Sequence, residues 1–271
     1  MLLPDLLDEN GKRVLFSKLC ERAMTERREQ GRDGIGTLSE KWLHRIVKRY
    51  LTEDTQNHEI PVEGRKFVSD VRIGDHAYEV QTGDFAPMAE KLDYCLNTLG
   101  LEVTVVYPVA QNRWVSRIHP ETAEISPRRR SPRHGKPADL LARLYPIRRL
   151  LSHPRLHFRV LALEVHDFRL ESDKGRRGKS PRFERIPLAL LSDQTFEDAS
   201  ALARLLPETL PECFTVKELS KATGLRGRDP YSAARALEAA GLLCAAEPLG
   251  RAMRFRRRDL HGSNLKRLTF S

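Results

Sequence analysis

The stretch Val68-Ser69-Asp70-Val71-Arg72-Ile73-Gly74-Asp75-His76-Ala77-Tyr78-Glu79-Val80-Gln81 decides how this chain is read. Two runs rich in β-branched and aromatic residues flank Gly74-Asp75, which suits a tight hairpin turn. The pattern predicts strands over Phe67–Ile73 and His76–Gln81. Alternation along a strand puts Asp70 on one face with Val68 and Arg72, and Glu79 on one face with Gln81, opposite Tyr78 and Val80. A two-residue turn pairs Ile73 with His76, and so Asp70 with Glu79, with their Cβ atoms about 5 Å apart. Two carboxylates that close repel each other unless a cation joins them or one takes up a proton. Mg²⁺ (or Mn²⁺) suits such a pair, because it accepts one or two carboxylates and keeps several waters. A metal there can polarise a phosphodiester and acidify a bound water. The plain alternative is two surface acids on an exposed hairpin.

Working outward towards the N-terminus, Glu59 to Val62 reads as a further short extended segment. Before it, Thr37 and Glu40 make a capping-box pattern that opens a helix running to about Tyr50. The apolar stripe of that helix is Leu43, Val47 and Tyr50, with Glu40 on the same stripe. An acid facing the sheet is costly without a partner, so Glu40 is a candidate third ligand, and His44 lies one turn further on. For Glu40 a helix-start acid favoured by the macrodipole is the competing reading. An earlier helix spans Val14 to Arg28, followed by a Gly-rich loop over Gly31–Gly36.

Towards the C-terminus the pattern predicts a helix from Pro87 to Leu99, stopped by Gly100. The nearly continuous run Leu101–Tyr107 then reads as a strand buried on both faces. Further expectations are a strand over Arg113–His119, a loop over Pro127–Pro137, helix over Asp139–Leu151 around Pro146, a strand over Leu156–Val165 and a basic loop over Ser172–Arg182. From Glu212 the order changes. A capped helix (Thr215, Glu218) ends at Gly224, Asp229-Pro230 opens a second helix, and Leu242–Phe255 forms two strands around Gly250. Helix, turn, helix and β-ribbon is the order of a winged helix-turn-helix domain.

The series Asp70 then Glu79-Val80-Gln81, with its flanking helices and buried strand, resembles the PD-(D/E)XK motif of restriction-endonuclease-like nucleases. The stretch from Glu40 to Ala110 is also similar to a family of uncharacterised bacterial proteins, in which a Glu-Lys-x-Leu-His helix precedes a Glu-x-Gln-Thr strand. The resemblance implies an α/β fold, a restriction-endonuclease-like mixed sheet flanked by helices, with a winged helix appended. It implies catalysis by Asp70, Glu79, Gln81 and Glu40, with Asp70, Glu79 and Glu40 as metal ligands. The superfamily usually has lysine where this chain has Gln81, which can orient a water but carries no charge. The motif's proline is also replaced, since Ser69 precedes Asp70.

Composition sets the partner. The chain has 271 residues, a net charge of +10 and 31% charged residues. Arg128, Arg129, Arg130, Arg133 and Lys136 lie in one acid-free stretch, and Arg251, Arg254 and Arg256 in another. Such patches predict nucleic acid, DNA in the first place, held through its phosphates. Tyr231 and Arg235 are candidate contacts on the second helix of the C-terminal domain. That helix offers few base readers, so a protein partner is the competing reading there. No apolar run is long enough to span a membrane. The opening Met1–Glu9 has acids where a signal peptide needs basic residues and too short an apolar run, and four scattered cysteines without a CxxC fit reduced thiols, so a cytoplasmic location is expected. The domains expected are a helical extension (1–36), a nuclease core (37–135), a connecting region (136–211) and a winged helix (212–271). The function expected is metal-dependent hydrolysis of DNA phosphodiesters. The alternative is a catalytically inactive nuclease fold that binds nucleic acid or a protein partner.

Overall fold

The structure is a computed structural model that describes residues 2–29, 42–171 and 180–258. Thr37, Glu40, the loop 31–36 and most of the basic loop after Ser172 lie outside the described residues. The central hairpin consists of β2 (Val68–Ile73) and β3 (His76–Val80), with β1 (His58–Pro61) antiparallel to β2. Its register is Ile73↔His76, Arg72↔Ala77 and Val71↔Tyr78, as a two-residue turn dictates. Gly74 adopts φ +61°, a conformation that side chains disfavour.

One mixed sheet runs through β1, β2, β3, β4 (Glu102–Ile118), β6 (Leu156–Leu170) and β7 (Arg182–Phe196), in the order β1-β2-β3-β4-β6-β7. β4 and β6 are parallel: Val103 N donates to Arg155 O near the start of both, and Glu171 N to Ile118 O at their ends. β7 turns back, with Leu170 N bonded to Pro181 O. β4 continues unbroken through the segment expected as a separate strand. Its far half receives a two-residue strand, β5 (Arg129–Arg130), at Trp114↔Arg130 and Val115↔Arg129. Part of the expected arginine loop is therefore sheet edge. Gly135 closes that segment onto β4. A Cβ there would stand 2.7 Å from Val109 Cγ2 and 2.8 Å from the Ala110 carbonyl oxygen.

Two compact units divide the chain. The first comprises Met1–Thr82, Val105–Pro137 and Arg159–Gln194; the second comprises Gly83–Thr104, Ala138–Phe158 and the described part of Thr195–Ser271. In the first, α1 (Glu9–Glu29) and α2 (Trp42–Leu51) bury Phe16, Leu19, Ala23, Leu43, Ile46, Val47 and Tyr50 against Val71, Tyr78, Val80, Val106, Leu161, Leu163, Val165 and Leu190. Each such large apolar side chain contributes about 1.5–3 kcal/mol by leaving water. The predicted stripe of Leu43, Val47 and Tyr50 is thus the buried face of α2.

In the second unit, the helix expected over 87–99 is broken into a 3₁₀ turn (Ala86–Met88), α3 (Ala89–Asp93) and a wide π turn (Tyr94–Thr98). Arg155 closes its end, donating from Nη2 to the Leu96 carbonyl at 2.9 Å. The helix expected over 139–151 is replaced by 3₁₀ turns, Pro137–Arg143 and Tyr145–Ile147, the second with Pro in its first turn. Further on, β8 (Cys213–Thr215) leads into α4 (Val216–Thr223), α5 (Asp229–Ala239), β9 (Leu243–Leu249) and β10 (Ala252–Arg257). The three strands form an antiparallel sheet in the order β8-β10-β9. The Thr215–Glu218 capping box is present in full, and Gly224 ends α4 at φ 83°.

Candidate functional site

The hairpin sets the geometry. Val71, Tyr78 and Val80 face the helices, so alternation sends Asp70 and Glu79 to the opposite face of the sheet. Asp70 is half-buried and Glu79 buried, only 5% exposed. Beyond the Val71↔Tyr78 pair, Asp70 Oδ2 accepts the Val80 amide proton at 2.8 Å, which ties the carboxylate to the strand that carries Glu79. On the helix side of the same strand end, His44 Nε2 donates to the Val80 carbonyl at 2.5 Å. A carbonyl can only accept, so that nitrogen carries the proton. His44 therefore supports the backbone beside the acids. Gln81 follows directly, half-buried, with its own amide bonded to Val106 O at 2.9 Å.

Among the described residues, no three His, Cys, Asp or Glu side chains are grouped to hold a metal. Asp70 and Glu79 supply two of the expected ligands, and Glu40 lies outside the described residues. Asp70 holds the Val80 amide through Oδ2, and no hydrogen bond to its Oδ1 is found among the described residues. Two carboxylates fall within the number Mg²⁺ takes from protein.

The basic residues fall into two groups. In the first unit Arg128, Arg129, Arg130, Arg133 and Lys136 are all exposed. The Arg128 guanidinium lies 4.7 Å from the centre of the Trp114 ring, a cation–π contact. Trp114 Nε1 donates to Glu164 Oε1 at 2.8 Å. Leu161, Leu163 and Val165 face the helices, so Glu164 and the Trp114 bonded to it lie on the other face, the one shared by Asp70 and Glu79. His166 sits on that face as well, bonded to Ser116 Oγ at 3.0 Å. Burial, helped by the Arg128 charge, holds the His166 imidazole below its usual range.

In the second unit Tyr231 is exposed on α5, but Arg235 forms an ion pair with Glu238 one turn on. Its charge is neutralised locally. On β10, Phe255 is buried in the core while its neighbours Arg254 and Arg256 point the other way; Arg256 and Arg251 are exposed and Arg254 is half-buried.

Sequence reading missed two buried charge clusters in the first unit. Arg159, 3% exposed, binds Asp193 through Nε (2.8 Å) and Nη2 (2.6 Å), and Asp193 Oδ2 also accepts the Tyr50 hydroxyl at 2.7 Å. Asp167, fully buried, is gripped by Arg185 through Nε (2.6 Å) and Nη2 (2.9 Å), with Arg113 Nε 3.5 Å away. Burial pushes the Asp167 carboxyl up, but the Arg185 hydrogen bonds and the surrounding guanidiniums outweigh it and hold the group below the usual carboxylate range. The available signal was polar residues within the apolar rhythm of β6; nothing local names their partners.

A family model described as a domain of unknown function, DUF8091, matches residues 41–197. No curated protein and no solved structure matches the chain. The matched span runs from the start of α2 through the central hairpin to the end of β7, more than half the chain, and the protein belongs to the DUF8091 family.

Proposed function

We propose that this protein is a metal-dependent nuclease with a restriction-endonuclease-like core, and that the β8–β10 segment is a winged helix that holds nucleic acid. The observation that carries the reading is the hairpin register, which sends Asp70 and Glu79 to the sheet face where Arg128 stacks on Trp114. Asp70 and Glu79 bind the cation, and the Val80 amide fixes the Asp70 rotamer. A divalent cation bound there supplies the charge that polarises a phosphodiester and acidifies a water. Gln81 accepts or donates a hydrogen bond to orient the attacking water, and Arg128, Arg129 and Arg130 hold flanking phosphates. In the second unit, Arg251, Arg254 and Arg256 on β9–β10 and Tyr231 on α5 contact the backbone, while Arg235 is committed to Glu238.

The test is incubation of the full chain with Mg²⁺ or Mn²⁺ and supercoiled, linear or single-stranded DNA. Wild type cuts, and Glu79→Gln and Asp70→Asn each slow the cut by at least about 100-fold. Equal rates for wild type and Asp70→Asn would remove this site from the mechanism. A second reading, a nuclease fold that binds without cutting, is favoured by the uncharged Gln81. It predicts no Mg²⁺ binding that Glu79→Gln abolishes in calorimetric titration.

A further inference from the structure

The first unit contains a cationic pocket that the proposed cleavage site does not use. A cavity of about 110 Å³ lies against the start of β7, lined by Leu43, His44, Thr82, Arg182, Glu184 and Arg185. That is several times the roughly 30 Å³ a water occupies in the liquid, and it admits a tetrahedral oxyanion. Behind the lining stand Asp167 and Arg113, and Arg169 is close enough to repel both Arg113 and Arg182. Among the described residues, four guanidiniums thus share two carboxylates, Asp167 and Glu184. Asp167 is saturated by Arg185, and Glu184 Oε1 accepts the Arg185 amide proton at 3.0 Å. Arg113 Nε is buried and makes no hydrogen bond among the described residues. Arg182 forms no ion pair among them and lines the cavity. Burial and mutual repulsion hold Arg113 and Arg182 below the usual guanidinium range. Excess positive charge at low dielectric is costly without a counter-charge.

We infer that this pocket binds a phosphate oxyanion, with Arg182 and Arg185 as charged donors and the Thr82 hydroxyl and His44 beside them. The ligand chemistry is a phosphate group, whether free phosphate or one phosphate of a nucleic acid chain. None of Asp70, Glu79 and Gln81 lines the pocket, although His44 and Thr82 flank the strand end that carries them, so variants of Arg182 test the pocket separately from the nuclease reading.

The experiment uses the full chain without metal. Thermal melting is followed in sodium phosphate against sodium chloride of equal ionic strength, and with single-stranded oligonucleotides with and without a 5′-phosphate. The variants are Arg182→Ala, Arg182→Lys, Glu79→Gln, and Lys217→Ala as a surface charge control. Phosphate or oligonucleotide raises the Tm of wild type, Lys217→Ala and Glu79→Gln alike. Arg182→Ala weakens the interaction about tenfold, the size expected for one charged hydrogen bond, and Arg182→Lys restores part of it. A rise with inorganic phosphate identifies the free ion as sufficient. A rise only with oligonucleotide identifies the nucleic acid chain as the source. An unchanged response in Arg182→Ala overturns the proposal, as does the absence of any rise in wild type with either probe.

Discussion

Asp193 shows how much one side chain can hold. Its two oxygens accept two Arg159 nitrogens and the Tyr50 hydroxyl, joining β7, β6 and α2. Burial and the neighbouring Asp193 charge push the Tyr50 hydroxyl well above its usual range, so it stays a donor throughout. Removing one member of a buried pair leaves the other charge uncompensated, at a cost of about 3–5 kcal/mol. Asp193→Ala is therefore expected to lower unfolding free energy by that amount in urea titration. Asp5→Ala, which removes the half-exposed end of the same network at Arg159 Nη1, costs no more than about 1 kcal/mol. Comparable losses in the two variants would show that Asp193 is not the keystone. None of this is readable from Asp193 itself, which sits in an ordinary Ser-Asp-Gln run; its partners lie 34 and 143 positions away. Asp70 was readable, because its partner strand follows across a two-residue turn.

Among the elements, legibility follows the range of the forces that end them. The hairpin and α4 are set by neighbours within four residues: Gly74 permits the turn, and Thr215 with Glu218 closes the start of α4. Thr215→Ala removes the hydroxyl that accepts the Glu218 amide proton and donates to its carboxylate, leaving only the bond from the residue 215 amide to Glu218, and is expected to cost about 1 kcal/mol, measured as a lower denaturant midpoint with unchanged slope. A midpoint equal to wild type would show that packing alone defines α4. The segment 86–98 follows the opposite rule. Its helical periodicity is real, but its last turn is widened and closed by Arg155, a residue from far along the chain. β7 was illegible because Pro187 interrupts its pattern. As the last strand of the sheet order it can carry a proline, since one side of its ladder needs no partner. β5 escaped notice because two arginines form a strand only where β4 runs on past the end of β3.

At the scale of the whole molecule, the proposed nucleic-acid binding rests on charge. A net charge of +10, with exposed Arg128, Arg129 and Arg130 on one unit and Arg251 and Arg256 on the other, predicts phosphate-driven binding. Duplex DNA affinity is expected to fall linearly with log salt, by about 0.9 decade per phosphate engaged, and Arg129→Ala with Arg130→Ala to flatten that slope by about two units. A slope unchanged in the double variant removes β5 from the interface. No helix among the described residues is long and apolar enough to cross a membrane. The sequence alone determined what local chemistry decides: the hairpin and its register, the shared face of Asp70 and Glu79, the caps of α4 and the stripe of α2. Only the tertiary structure decided which edge of β4 receives Arg129–Arg130, which charges Asp193 and Asp167 accept, and that Arg182 lines a cavity. The reason is physical. A buried charge is tolerated only where distant strands deliver its counter-charge, and that delivery depends on the order of strands in the sheet, which no local pattern encodes.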